Sequence, residues 1–258
     1  MRHMKIKVIG CSGAEMPGHN APGFLLDDEI IFDAGSITSV LDEKAQLKIK
    51  HIFITHAHLD HIRSIPFLAD NIVLGDKEKK VTIYSISQVI TTIKKHLFNS
   101  AVWPDFTIIP NPDDAILNLV KLKVASSLSI NGYTITPYKV NHPVPAVGYL
   151  VEDGGNRRFF YTGDTGPTPG TWKKVGDRKI DCLIIDVSFP NSMREMAITT
   201  GHLTPELLRE EVAKMHSVPG SIYITHPKPQ YFRTVRKELD KLKIRNLRVL
   251  REGEIIRI

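Results

Sequence analysis

Apolar residues in this chain fall mostly into short runs rich in Ile, Val, Phe and Tyr, broken by turn-forming residues. Runs of that kind predict strands. They occur as KIKVIG, GFLL and EIIFDAG, then HIFIT, VTIYSI, YTITPYKV, VGYLVED, RFFYTGD, DCLIIDV, SIYITH and LRVLREGEIIRI. Elsewhere apolar residues recur three and four apart, which predicts helices over ITSVLDEKAQ, IRSIPFLADN, SQVITTIKKHLF, TPELLREEVAKMHS and QYFRTVRKELDKLK. Two groups of strands, with helices inserted and one ending each half, predict stacked sheets with helices outside, an α+β arrangement. No repeat period, low-complexity tract or long Gly/Ser linker interrupts the pattern, so residues 1–258 are expected to form a single domain.

Composition changes this picture little. A chain of 258 residues, 42% hydrophobic and 24% charged, can bury a sizeable core without long disorder. No apolar run reaches the roughly 18 residues that a membrane span needs. The start, MRHMKIKVIG, lacks the apolar core of a signal peptide, and residues 1–3 read as an expression scar that could have replaced a leader. Two cysteines, Cys11 and Cys182, cannot build a disulfide framework, and Cys182 in CLIIDV reads as a buried small hydrophobe. The cytoplasm is the expected compartment.

Charge adds one local feature. Residues 228–251 hold nine Lys or Arg against Glu238 and Asp240, a net of +7 within a total of +6. Phe232, Val235, Leu239 and Leu242 recur there at helical spacing, so the basic residues read as the wet face of an amphipathic helix. A nucleic-acid footprint is the competing reading.

The chemistry concentrates in ITHAHLDHI, where His56, His58, Asp60 and His61 fall within six consecutive positions just after a predicted strand. His56 and His58, two apart on an extended loop, can turn toward one point. Asp60 and His61, where the chain enters a helix, can serve a second. Packing does not explain four such side chains, because each would need a polar partner. Further candidates stand at other strand ends: His142 before NHPVPAVGY, Asp164 ending RFFYTGD and His226 ending SIYITH. Together they supply seven ligands for two metals: His56, His58 and His142 on one, Asp60, His61 and His226 on the other, with Asp164 bridging. Imidazole and carboxylate without thiolate suit Zn²⁺, with Mn²⁺ or Fe also admissible.

The pattern His-x-His-x-Asp-His followed by separate His, Asp and His resembles the metallo-β-lactamase superfamily, whose fold is a four-layer αββα sandwich. IIFDAGS resembles that superfamily's early Asp-bearing turn, which implies that Asp33 orients ligands. A second layer, THAHLDHI, HLFNSAVWPD, TGDTGP, DVSFPNS, GHLTPELL and ITHPKP, is similar to the class II 3′,5′-cyclic-nucleotide phosphodiesterases. Two departures stand out. IRSIP follows HLDH without the expected glycine, and Asp186 stands where that family more usually has glutamate.

The resemblance implies hydrolysis of cAMP, and of cGMP as a second candidate, to the 5′-monophosphate by a metal-bridged hydroxide, with the ribose 3′-oxygen leaving. His202 in GHLTPE is the candidate proton donor, just ahead of a helix with Thr204 as N-cap, Pro205 at its first position and Glu206 in its first turn. Asp60 is expected to accept the nucleophile's proton, and Asp186 to support the site beside Asp33. Substrate contacts are expected from Phe98, Asn99 and Trp103 on the base, and from Ser188, Asn191, Thr204 and Lys228 around the phosphate. Core packing of the aromatics and turn-shaping by Ser188 and Asn191 are the competing readings. His3, His19, His51, His96 and His216 have no comparable setting.

Rival readings exist in three classes. A tRNA 3′-end endonuclease has similar ligands and suits the basic C-terminal segment, but no inserted glycine- and lysine-rich arm is seen. A di-iron oxidoreductase would need a flavin domain for which the chain has no room. A non-catalytic nucleic-acid-binding domain would not need the full ligand set. The expected partner is therefore a small cyclic nucleotide, with nucleic acid as the alternative, no membrane, and a homodimer as a compatible assembly.

Overall fold

A computed structural model describes residues 3–75 and 79–258; residues 1 and 2 of the expected scar lie outside them. The first sheet is built from β1 (Lys5–Gly10), β2 (Gly23–Leu26), β3 (Ile30–Phe32), β4 (His51–Phe53), β5 (Val81–Ile86) and β6 (Leu117–Leu122). The second contains β7 (Leu128–Ile130), β8 (Tyr133–Lys139), β9 (Val147–Asp153), β10 (Arg158–Tyr161), β11 (Cys182–Asp186), β12 (Ser221–Thr225) and β13 (Leu247–Val249). The last strand, β14 (Ile255–Arg257), returns to the first sheet, giving the orders β14-β1-β2-β3-β4-β5-β6 and β13-β12-β11-β10-β9-β8-β7.

Helices α1 (Ile37–Val40), α2 (Glu43–Gln46), α3 (Leu59–Ile62), α4 (Ser64–Gly75) and α5 (Ser87–His96) lie among the strands of the first half. Those of the second half are α6 (Pro169–Val175), α7 (Arg194–Thr200), α8 (Pro205–Ala213) and α9 (Phe232–Lys241). Two stacked sheets with helices on their outer faces form the αββα sandwich of the metallo-β-lactamase fold.

Strand alternation explains why the layers stack. On β9 and β10, Tyr149 and Phe159 point into the core shared with the first sheet, while Leu150 and Phe160 point into a second cluster. That second cluster is closed by Trp172 of α6, Leu207 and Leu208 of α8, and Val235 and Leu239 of α9. Between the sheets, the Phe32 ring lies 5.4 Å from those of Phe53 and Phe159 and 5.7 Å from Tyr149. The Tyr149 hydroxyl donates to the Ile54 carbonyl at 2.7 Å, tying the sheets together just before the histidine cluster.

Several elements differ from their sequence expectation. The helix expected over 37–46 is two, because Leu41 is extended and the Asp42 side chain caps the second by accepting from the Ala45 amide at 2.8 Å. The strand expected over 247–258 splits at a turn with Gly253 at φ +78°, and its halves join different sheets. β6, β7, α6 and α7 were not expected: β6 is a half-exposed edge strand, and α6 opens with Pro-Gly, which reads as a turn. The basic helix is as expected, with Val235 and Leu239 buried and Arg233, Arg236, Lys237 and Lys241 exposed.

Replacing Phe32 by Ala should destabilise the protein by about 3–5 kcal/mol, the usual result for a fully buried Phe. Urea unfolding should show a lower midpoint with an unchanged slope.

Candidate metal centre

The strands end at a common rim, and the ligands stand just beyond those ends. The β4 exit carries His56, His58, Asp60 and His61; the β8, β10 and β12 exits carry His142, Asp164 and His226. Two clusters result, one of His56, His58, His142 and Asp164, the other of Asp60, His61, His226 and Asp164. Within each, one ligand atom per residue lies within 4.8 Å of every other. Asp164 belongs to both.

Buried atoms test whether this arrangement fits a metal. The Nε2 atoms of His56, His61 and His226 are buried and make no hydrogen bond among the described residues. They nevertheless stand 3.8, 3.3 and 3.2 Å from a carboxylate oxygen of Asp164. Buried polar atoms that converge without pairing are rare in proteins, and a cation among them would satisfy all of them. The donor set fits divalent metal ions.

Other hydrogen bonds aim these ligands. Asp33, wholly buried at φ +60°, accepts from the Thr55 amide at 2.8 Å, the Thr55 hydroxyl, the Tyr161 hydroxyl at 2.7 Å and His61 Nδ1 at 2.7 Å. With Nδ1 occupied, His61 turns Nε2 toward Asp164. Thr55 also meets His56 Nδ1 at 3.0 Å, and His142 Nδ1 donates to the Gly201 carbonyl at 3.0 Å. His226 adopts φ +67°, and a Cβ on Gly13 would fall 2.2 Å from its carbonyl oxygen, so glycine is needed there.

The same burial sets the charges. Burial holds the imidazoles of His56 and His226 well below the usual histidine range, and those of His58 and His142 are also lowered by burial, so all four offer lone pairs at neutral pH. For Asp164, burial opposes ionisation, but the surrounding His226, His61 and His56 outweigh it and hold the carboxyl well below its usual range. At His61 burial is likewise outweighed, by Asp164 and Asp33, and the imidazole is held well above its usual range.

A third group adjoins the centre. His202 Nδ1 lies 2.7 Å from Asp186 Oδ2, and its ring is 5.4 Å from His226 and 5.5 Å from His142. Burial works against a charged His202, but Asp186 outweighs it and raises the pKa. Ser188 Oγ donates to Asp186 Oδ1 at 2.7 Å or to the His226 carbonyl at 3.0 Å, so it braces this pair.

Most expected substrate contacts have other partners. Phe98 is 1% exposed within the core, which corrects its expected role in stacking on a base. Asn99 Oδ1 accepts from the amides of Ala101 and Val102, so it shapes a turn, and Trp103 packs edge-on against Phe67 at 5.1 Å. Asn191 Oδ1 accepts from the Glu206 amide, and the wholly buried Thr204 caps α8 by accepting from Leu207. Lys228 Nζ donates to the Gly13 carbonyl. Thr55, Tyr161 and Gly13 also shape the site without belonging to any of its sequence motifs as ligands. Of these, only Thr55 carried a signal, as the residue leading directly into the histidine cluster.

Residues 32–226 match the sequence model of the β-lactamase superfamily domain. A Yersinia pestis protein named "Probable 3′,5′-cyclic-nucleotide phosphodiesterase" is 29% identical over 208 residues, which is 71% of this chain but 58% of that protein's length. A ribonuclease Z of Pyrococcus abyssi is 27% identical over 221 residues, covering 78% of this chain and 68% of that protein. The crystal structure of unliganded yeast PDE1 superposes with a TM-score of 0.86 over the whole of both chains, at 19% identity.

Replacing Asp164 by Ala should remove both metal ions together, read by elemental analysis of dialysed protein. Retention of one ion would show that the two clusters do not share this carboxylate. Because His61 is proton-bearing when metal-free, loading at neutral pH should release protons, seen as a binding enthalpy that varies with buffer.

Proposed function

The chain belongs to the β-lactamase superfamily, and on that premise we propose that it is a metal-dependent phosphodiesterase opening 3′,5′-cyclic nucleotides to 5′-monophosphates. The observation that carries this reading is the junction of two ligand clusters at one buried carboxylate, with a histidine–aspartate pair alongside. His56, His58, His142 and Asp164 would hold one divalent ion; Asp60, His61, His226 and Asp164 would hold the other. Two such ions, when bound, neutralise a diester's charge and make water a competent nucleophile at neutral pH. The donor set favours zinc, with manganese or iron as alternatives.

The chain's own groups divide the proton transfers. Asp60, whose side chain is 34% exposed while the rest of its cluster is buried, is placed to take the proton of the attacking water. His202 is the acid for the leaving 3′-oxygen. Asp186 occupies its Nδ1, which leaves Nε2 to carry the transferable proton. Ser188 and the Thr165 amide, at 3.2 Å from Asp186, keep that carboxylate in place.

The names of its relatives divide between cyclic-nucleotide phosphodiesterase and ribonuclease Z. A small substrate is favoured because only 21 residues lie between His142 and Asp164, and 11 of them form β9 and β10, leaving no arm there to grip a polynucleotide. The exposed cations of α9 favour the rival, a tRNA 3′-end endonuclease.

Zinc- or manganese-loaded protein should convert 3′,5′-cAMP to 5′-AMP, and Asp164→Ala should not. Replacing His202 by Ala should lower kcat by roughly 10²–10⁴-fold with metal content unchanged. His202 acts as the protonated form and its pKa is raised, so kcat should fall only as pH climbs through a value above the usual histidine range. The Ala variant should lack that alkaline limb. No turnover of cAMP or cGMP by fully loaded protein, with salt-sensitive cleavage of precursor tRNA instead, would replace this reading by the rival.

A further inference from the structure

Beside the first ligand cluster lies a cleft of about 130 Å³, lined by His58, Gln88, Val89, Thr92, Val144 and Pro145 among others. Its walls are the loop carrying His56 and His58, the loop carrying His142, and α5. It therefore adjoins the first ligand cluster through His58, which both share. Val89 is buried, while Gln88 and Thr92 stand exposed. The Thr92 hydroxyl donates to the Gln88 carbonyl at 3.0 Å. The Gln88 side-chain amide has no hydrogen-bond partner among the described residues.

The lining states what the cleft can accept. No Lys, Arg, Asp or Glu lines it, so a second phosphate or another charged group would lose its hydration with nothing in return. An uncharged ring would cover Val89, Val144 and Pro145 and gain from burying its faces. The free amide of Gln88 offers two donors and an acceptor at the rim.

We propose that this cleft is the subsite for an uncharged heteroaromatic substituent of the substrate, the nucleobase, with Gln88 meeting its polar edge. The assignment rests on the phosphodiesterase reading for where the phosphate lies. A diester held at the Asp164 centre would meet the cleft at His58, the residue common to both, so its nucleoside could reach the cleft from there. A glutamine amide pairs twice with the adenine edge and can also donate to the guanine carbonyl. The subsite thus separates nucleotides from simple alkyl phosphates more sharply than it separates one purine from the other.

The test compares 5′-AMP with inorganic phosphate by calorimetry on metal-loaded wild type, Gln88→Ala and Gln88→Trp. Position 88 is exposed, and melting temperatures check that each variant folds. Wild type should bind 5′-AMP at least about tenfold more tightly than phosphate, the return expected from burying one ring. Gln88→Trp, which fills the cleft, should bring the two affinities together. Gln88→Ala should narrow the gap severalfold. Phosphate affinity should stay within about twofold throughout. No gap in the wild type, or a gap that survives Gln88→Trp, overturns the proposal. Turnover of cAMP on the same samples separates the two readings. A gap closed by Gln88→Trp without turnover keeps the subsite and removes the reaction; turnover with an unaltered gap does the reverse.

Discussion

One buried carboxylate, that of Asp33, constrains how the two halves of this molecule meet. An ionised carboxylate offers about four acceptor positions, and leaving them empty in the core would cost several kcal/mol. Asp33 fills them from both sheets: Thr55 and His61 follow the strand β4 of the first, and Tyr161 ends β10 of the second. The sheets cannot slide against each other without breaking that set. Because His61 is one of the partners, the register of the sandwich and the aim of a candidate metal ligand are the same constraint.

A second carboxylate plays a comparable part on the other side of the centre. Asp186 ends β11 and is held by Ser188 and the Thr165 amide, and its own partner is His202. Ser188 can turn instead to the carbonyl of His226, so the His202–Asp186 pair and a candidate metal ligand share one brace. Aspartate at this position, shorter by one methylene than the glutamate expected from family resemblance, still reaches His202 Nδ1 at 2.7 Å.

The clustering of the candidate ligands was legible because their chemistry is concentrated: four donors in six residues, then His142, Asp164 and His226 just after apolar runs. The layered α+β class followed from the alternation of strands and amphipathic helices. What surrounds the ligands was less legible, for physical reasons. Tyr161 sits in RFFYTGD like any core aromatic, and its hydroxyl finds Asp33 only once the sheets stack. Thr204 caps α8 as its sequence position indicates; Asn191 looks like a pocket residue, yet the same helix end needs its amides satisfied and takes that side chain too. Phe98 follows the apolar stripe of α5 into the core, a continuation that a motif centred on Phe98, Asn99 and Trp103 hides.

The crossing of the chain between sheets has a temporal side. Synthesis runs from the N-terminus, and the donors of the first cluster are all present once residue 164 has emerged. The second cluster waits for His226, and the strands that close the two sheet edges, β13 and β14, come after it. A nascent chain therefore passes through a stage at which one half of the centre has its full set of side chains and the other lacks one. Domains commonly begin to organise during synthesis, so the two halves, although they share Asp164, are born in a fixed order.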